Sequence, residues 1–132
     1  MGVAKERTMK KVLVVDDAGT VRMYHRKLLE EAGFEVDEAV NGLEALEKAM
    51  LTDFDLYIVD INMPQLDGYS FLQRLRGSEE FKQTPVLMVS TESEEQDKEK
   101  ALALGANFYL FKPVKPVEFI KYCKLLTGVS YE

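Results

Sequence analysis

Five times along the chain, a short run of aliphatic residues gives way to a segment whose apolar residues recur at helical spacing. The runs at 12–15 (Val-Leu-Val-Val), 56–59 (Leu-Tyr-Ile-Val) and 86–89 (Val-Leu-Met-Val) are apolar without alternation. Such runs suit strands buried on both faces of a parallel sheet. Weaker runs lie at 34–39 and 107–111; the former alternates Phe34 and Val36 with Glu35 and Asp37, which suits an edge. Between them, Val21, Tyr24, Leu28 and Ala32 predict one helical stripe stopped by Gly33, and Leu43, Leu46, Ala49 and Met50 a second that starts at Asn41. Tyr69, Leu72, Leu75 and Arg76 predict a third helix from about Leu66 to Gly77. Ala101, Leu102 and Leu104 form the apolar end of a fourth; Phe119, Cys123 and Leu126 mark a fifth that begins near Pro116. A regular βα alternation demands right-handed crossovers and helices on both faces of the sheet. The expected fold is a single doubly wound α/β domain.

With 132 residues, 46% of them hydrophobic, the chain can fill one core and not two. Its 17 Lys and Arg against 23 Asp and Glu leave a net charge of −6, which repels phosphate backbones and argues against a direct nucleic-acid partner. No apolar run approaches the ~20 residues that span a bilayer, and the first residues lack the apolar core of a signal peptide. Glu6 also stands where a myristoylation motif wants Ser or Thr. A single cysteine, Cys123, cannot form an internal disulfide, and the lone His25 excludes a Cys/His metal site. Cys123 falls on an apolar stripe and reads as core filler, while His25 reads as a packed or partly exposed residue at the edge of the first helix's buried face. The chain is expected to be a cytoplasmic monomer, with a loose segment at 1–9, the domain at 10–127 and a tail at 128–132.

In a doubly wound sheet, chemistry sits beyond the carboxyl ends of the strands. Asp16 and Asp17 follow the first run, Asp60 the third, Ser90 and Thr91 the fourth, and Lys112 with Pro113 the fifth. Any one of these alone reads as a cap or turn residue; their coincidence at one edge does not. Two carboxylates ~5 Å apart at an effective dielectric near 20 repel by roughly 3 kcal/mol. Three such pairs cost on the order of 10 kcal/mol, comparable to the whole stability of a small domain. Lys112 offsets only part, so a carboxylate stays protonated or a cation binds. Oxygen ligands favour a hard divalent ion such as Mg²⁺, which keeps waters and takes up phosphate oxygens. A carboxylate beside such a site is suited to phosphoryl transfer.

These residues resemble the receiver domain of two-component response regulators, and in size the stand-alone CheY-like members. The resemblance covers residues 10–127. It rests on Asp16-Asp17, on Asp60-Ile61-Asn62-Met63-Pro64 with Asp67-Gly68, on Ser90-Thr91 and on Lys112-Pro113, in that order. It implies a flavodoxin-like (βα)5 fold with strand order 2-1-3-4-5 and Asp60 as phosphoacceptor from a histidine kinase or histidine phosphotransfer protein. It further implies Mg²⁺ held by Asp17, Asp60 and the Asn62 backbone carbonyl, with Asp16 acting mainly through a metal-bound water. Lys112 would pair with Asp60 and then with the phosphoryl oxygen, across a Lys-Pro bond that is often cis in the family. Pro64 would shape the turn after the phosphoacceptor, and Gly68 the tight start of the third helix.

By the same resemblance Ser90, where Thr is commoner, is the switch hydroxyl, and Tyr109 the aromatic that moves inward behind it. Asn62 and Glu92 border the path of attacking water, which points to a phosphoryl group lost in seconds to minutes. The polar stretch 92–100 reads as a solvated helix face; with Tyr109, Lys115 and the fifth helix it would present an output surface to a downstream protein. Ile120 and Tyr122 flank that helix's stripe and could expose a modest apolar patch. Such a domain is a switch rather than an enzyme, beyond its own phosphorylation and dephosphorylation. Two other readings stand beside it: a Mg²⁺-dependent phosphatase with an aspartyl nucleophile, and a degenerate receiver used only for docking. The first is disfavoured by the adjacent Asp pair and the lack of length for a cap domain, the second by retention of the whole acidic set with Lys112.

Overall fold

A computed structural model describes residues 9–80 and 83–129. In chain order the elements are β1 (Lys11–Val15), α1 (Gly19–Glu31), β2 (Glu35–Ala39), α2 (Gly42–Leu51), β3 (Leu56–Val59), α3 (Gly68–Arg76), β4 (Val86–Ser90), α4 (Glu95–Ala103), β5 (Phe108–Phe111) and α5 (Pro116–Thr127). The strands form one parallel sheet in the order β2-β1-β3-β4-β5. This is the doubly wound arrangement the alternation implies, with the alternating 34–39 run at an edge. The loose segment expected at 1–9 falls outside the described residues except for Met9, and the tail except for Gly128 and Val129.

Side chains alternate across the sheet and build two cores. Leu13, Val15, Tyr57, Val59 and Met88 pack with Phe71, Leu72 and Leu75 of α3 and with Ala45 and Ala49 of α2. Val12, Val14, Ile58, Leu87 and Val89 pack on the other face with Leu29 of α1 and Phe119 and Cys123 of α5. Both faces of the central strands are thus filled, which is why their runs do not alternate. Local signals set the helix ends: Asn41 and Asp67 accept N–H bonds from Glu44 and Ser70. Pro116 opens α5, and Gly128 closes it with a φ of 76°.

Three helical stripes are rotated from their expected positions. In α1 the buried residues are His25 and Leu29, while Tyr24 is exposed and Val21 and Leu28 are half-buried. His25 sits in the core, its ring 5.1 Å from that of Phe119, not at the edge of the face. In α2 the small residues Ala45 and Ala49 face the sheet, whereas Leu43 and Met50 point to solvent, because α2 lies close to its neighbours. A Cβ on Gly42 would stand 2.6 Å from the Leu66 carbonyl oxygen, a measure of that closeness. In α4 only Ala101 is buried and Leu102 is exposed. On α5, Ile120 and Tyr122 are half-buried against the core, so the apolar patch expected there is reduced.

Candidate phosphoryl-acceptor site

The carboxyl ends of β1, β3, β4 and β5 carry the polar residues that the sequence places after each run. Asp16 continues β1; its N–H donates to the Ala39 carbonyl (3.1 Å), which pins the residue to the sheet rim. Asp60 continues β3, its N–H donating to the Val15 carbonyl (2.9 Å), so the two strand ends bring Asp16 and Asp60 side by side. Both are buried, at 2% and 8% exposure, while Asp17 is exposed. One carboxylate oxygen from each of Asp16, Asp17 and Asp60 lies within 4.8 Å of the others.

Lys112 enters from the end of β5, its N–H donating to the Ser90 carbonyl (2.8 Å) and its peptide bond to Pro113 cis. Its ammonium donates to Asp16 Oδ2 at 2.6 Å and lies 3.1 Å from Asp60 Oδ1. The lysine therefore bridges two aspartates, with its shorter contact to Asp16 and not to Asp60 alone. Burial opposes the Lys112 ammonium, but the hydrogen bond to Asp16 and the charges of Asp60 and Asp16 outweigh it and hold its pKa above the ordinary lysine value. Burial, with repulsion from Asp16 added, pushes the Asp60 carboxyl above its ordinary range, and Lys112 offsets only part of that.

The loop after Asp60 is shaped by close backbone approach. Gly68 N–H donates to the Ile61 carbonyl (2.8 Å), and a Cβ on Gly68 would fall 2.1 Å from the Asp60 carbonyl oxygen. Gln65 and Leu66 take positive φ, 58° and 125°; Asn41 Nδ2 holds Gln65 (3.1 Å), and the Leu66 carbonyl accepts the Gly42 N–H (3.1 Å). A strained turn is thus fastened to the start of α2. Pro64 and Gly68 lie in this turn, Pro64 exposed and Gly68 buried.

On the β4 side, Ser90 is fully buried and its Oγ accepts the Glu92 N–H (3.0 Å). Tyr109 is 4% exposed and its hydroxyl donates to the Glu92 carbonyl at 2.8 Å. The ring thus lies on the inner side of β5, packed against the core that α3 covers. The Glu92 side chain accepts from Asn62 Nδ2 at 2.8 Å, so the two expected tuning residues touch across the mouth of the site. Asp16, Asp17, Asp60, Asn62, Ser90, Glu92, Tyr109 and Lys112 all gather at this rim. Sequence reasoning missed Arg22 and Glu38: Arg22 Nη1 donates to the Asp16 carbonyl (2.6 Å) and its Nε to Glu38 (2.8 Å). Charged residues of a helix and an edge strand carry no periodic signal that would have paired them.

A flavodoxin-like sheet with a crowded acidic rim and a bridging lysine defines a class of doubly wound domain whose site suits a hard cation and a phosphate. The chain belongs to the response regulator receiver domain family, whose family model matches residues 12–124. Receiver domains act in phosphorylation-dependent signalling in two-component systems, as switches rather than enzymes, and the family is Mg²⁺-dependent in general. Among solved structures, the chemotaxis response regulator CheY4 of Vibrio cholerae is similar at 39% identity and a TM-score of 0.85, over 90% of this chain and 99% of that one. The receiver domain of the Francisella response regulator 1452 is similar at 33% identity and a TM-score of 0.84, over 90% and 97%. The transcriptional regulatory protein SrrA of Staphylococcus aureus is 36% identical over 115 residues, 87% of this chain and 46% of that protein. The chain thus spans about half the length of the curated relatives it matches. Among the described residues, no helix is long and apolar enough to cross a membrane.

Proposed function

We propose that Asp60 is the phosphoacceptor of a cytoplasmic signalling switch, charged by a sensor histidine kinase or a histidine phosphotransfer protein. The observation that carries this reading is the placing of Asp60 between one ammonium and two further carboxylates at a strand end. The all-oxygen donor set fits Mg²⁺: Asp17 and Asp60 would hold it together with the Asn62 backbone carbonyl, and Asp16 through water. Both Asp16 carboxylate oxygens are already engaged, by Ala18 N–H (2.9 Å) and by Lys112, which supports that indirect part. When bound, the ion supplies positive charge to the oxygens of the migrating group.

An Asp60 oxygen attacks phosphorus as the bond to the donor's histidine nitrogen breaks, and the electron pair of that bond leaves with the imidazole. Lys112 stands 3.1 Å from Asp60 and balances charge that gathers on the phosphoryl oxygens. Ser90 Oγ then turns from the Glu92 N–H toward the phosphoryl group. Because Tyr109 holds the carbonyl of that same Glu92, the move of Ser90 is passed to β5 and α4. With one buried residue, α4 is weakly anchored, which suits a surface that rearranges together with β5, Lys115 and α5 and binds a separate protein. The Asn62–Glu92 contact keeps polar groups beside the attacking water, in line with a phosphoryl group lost in seconds to minutes.

Incubation with acetyl phosphate and Mg²⁺, followed by intact-mass measurement, tests the reading. One phosphoryl group is expected on the wild type, none on Asp60→Asn, and none after chelation of the metal. Label that persists in Asp60→Asn overturns the assignment. Steady turnover of a generic phosphate ester would point to the phosphatase alternative, and no label on the wild type to a docking module.

A further inference from the structure

We infer that Arg22, braced by Glu38, is a positioning residue that sets the direction of the acidic pair Asp16-Asp17 and so the affinity of the rim for Mg²⁺. The inference rests on the cation-site reading above and names a part of the chain outside that site. The carbonyl of Asp16 belongs to the peptide that leads into Asp17. Fixing its direction fixes the plane of that peptide, and with it the position of the Asp17 Cα from which the carboxylate side chain departs.

Arg22 Nη1 donates to this carbonyl at 2.6 Å. The Arg22 guanidinium is itself held, its Nε donating to Glu38 Oε1 at 2.8 Å. Glu38 lies on the edge strand β2, where its second oxygen accepts from Arg26 (2.6 Å) and its carbonyl from Lys48 Nζ (2.5 Å). The brace is shielded, with Arg22 and Glu38 side chains 17% and 30% exposed, so it is more than a solvated surface pair. The contrast with the two aspartates is what gives it a role. Asp16 is held at its N–H, its carbonyl and both carboxylate oxygens. Asp17 is exposed, and the position of its Cα depends on the peptide that Arg22 holds.

Arginine suits this task because its planar fork presents two donors to two acceptors at once, whereas a lysine has one ammonium at the end of a flexible stem. Groups that orient a metal ligand from behind commonly change metal affinity by about 10–100-fold when removed. Coulomb's law alone predicts the reverse. Arg22 is a cation beside a cation site, and losing its charge would tighten binding. The two effects therefore differ in sign.

Mg²⁺ titration followed by backbone amide NMR, with no phosphodonor present, separates them. Arg22→Lys keeps the charge and is expected to weaken binding about tenfold. Arg22→Met loses the charge and is expected to weaken it as well. Arg26→Met removes an equal charge and a Glu38 contact but no bond to Asp16, and is expected to stay within about twofold of wild type. Amide spectra without Mg²⁺ check that each variant keeps the fold. With acetyl phosphate, the Arg22 variants should label slowly at low Mg²⁺ and reach the wild-type rate at saturation. Wild-type affinity in Arg22→Lys, or tighter binding in Arg22→Met, overturns the positioning role and leaves the cation site standing. No Mg²⁺ binding by the wild type overturns the cation site, and this inference with it.

Discussion

Burying an imidazole removes the water that stabilises its charged form, and His25 shows the result. Burial takes its pKa from 6.5 to about 4, with Asp16 pulling partly back and Lys112 adding to the fall. Its Nδ1 is buried with no hydrogen-bond partner, so the neutral ring acts as a packed aromatic between α1 and Phe119. An unfolded chain takes up this proton as pH falls below 6.5, and the folded chain only near 4. The contribution is therefore fully present above the unfolded value and is lost as pH falls through the folded one. Between pH 7 and pH 4 the loss is about 3 kcal/mol. Urea denaturation of the wild type against His25→Leu should show this increment in the wild type alone; equal pH profiles would refute it. No hydropathy pattern could have found this residue. The stripe through Tyr24 and Leu28 looked better than one through a histidine, and only packing against Phe119 decides for His25.

At the scale of elements, what the sequence showed well was the strand ends, because each apolar run stops where the rim begins. Asp16, Asp60, Ser90 and Lys112 could be placed from that alone. Helix faces were less legible, since α2 turns Ala45 and Ala49 inward and leaves Leu43 and Met50 outside. Close approach selects small residues there, and a hydrophobicity pattern ranks them last. Contacts made by main-chain atoms left no trace either: Tyr109 to the Glu92 carbonyl and Arg22 to the Asp16 carbonyl depend on where loops pass. The turn between β3 and α3 is the sharpest such case. With a Cβ only 2.1 Å from the Asp60 carbonyl oxygen, Gly68→Ala must push the start of α3 away from Asp60. Backbone has little room to yield, and a cost of about 3 kcal/mol is expected, the upper range for overpacking. Chemical denaturation would measure it, and labelling by acetyl phosphate should slow in parallel. A variant that matches the wild type in both would show that the turn relaxes freely.

For the molecule as a whole, the rim sets function against stability. The sheet buries two carboxylates beside a third, and one lysine does not cancel them. Asp60 makes the cost visible. Its folded pKa is raised, first by burial and then by Asp16, so the fold binds this proton more readily than the unfolded chain does. Such a group favours the fold at low pH and loses that contribution as pH rises through the folded pKa; at neutral pH its ionised form is a net penalty. Asp60→Asn keeps the shape and removes the charge. Without Mg²⁺ at pH 7 it should stabilise the domain by on the order of 1 kcal/mol, or about 4 °C in Tm. Adding Mg²⁺ at about ten times its Kd should stabilise the wild type by about 1.4 kcal/mol and the variant by much less, so the two curves converge. Calorimetry with and without the metal checks both halves. A destabilised Asp60→Asn would mean that the Lys112 pair outweighs the crowding, and that the rim needs no cation to be tolerated.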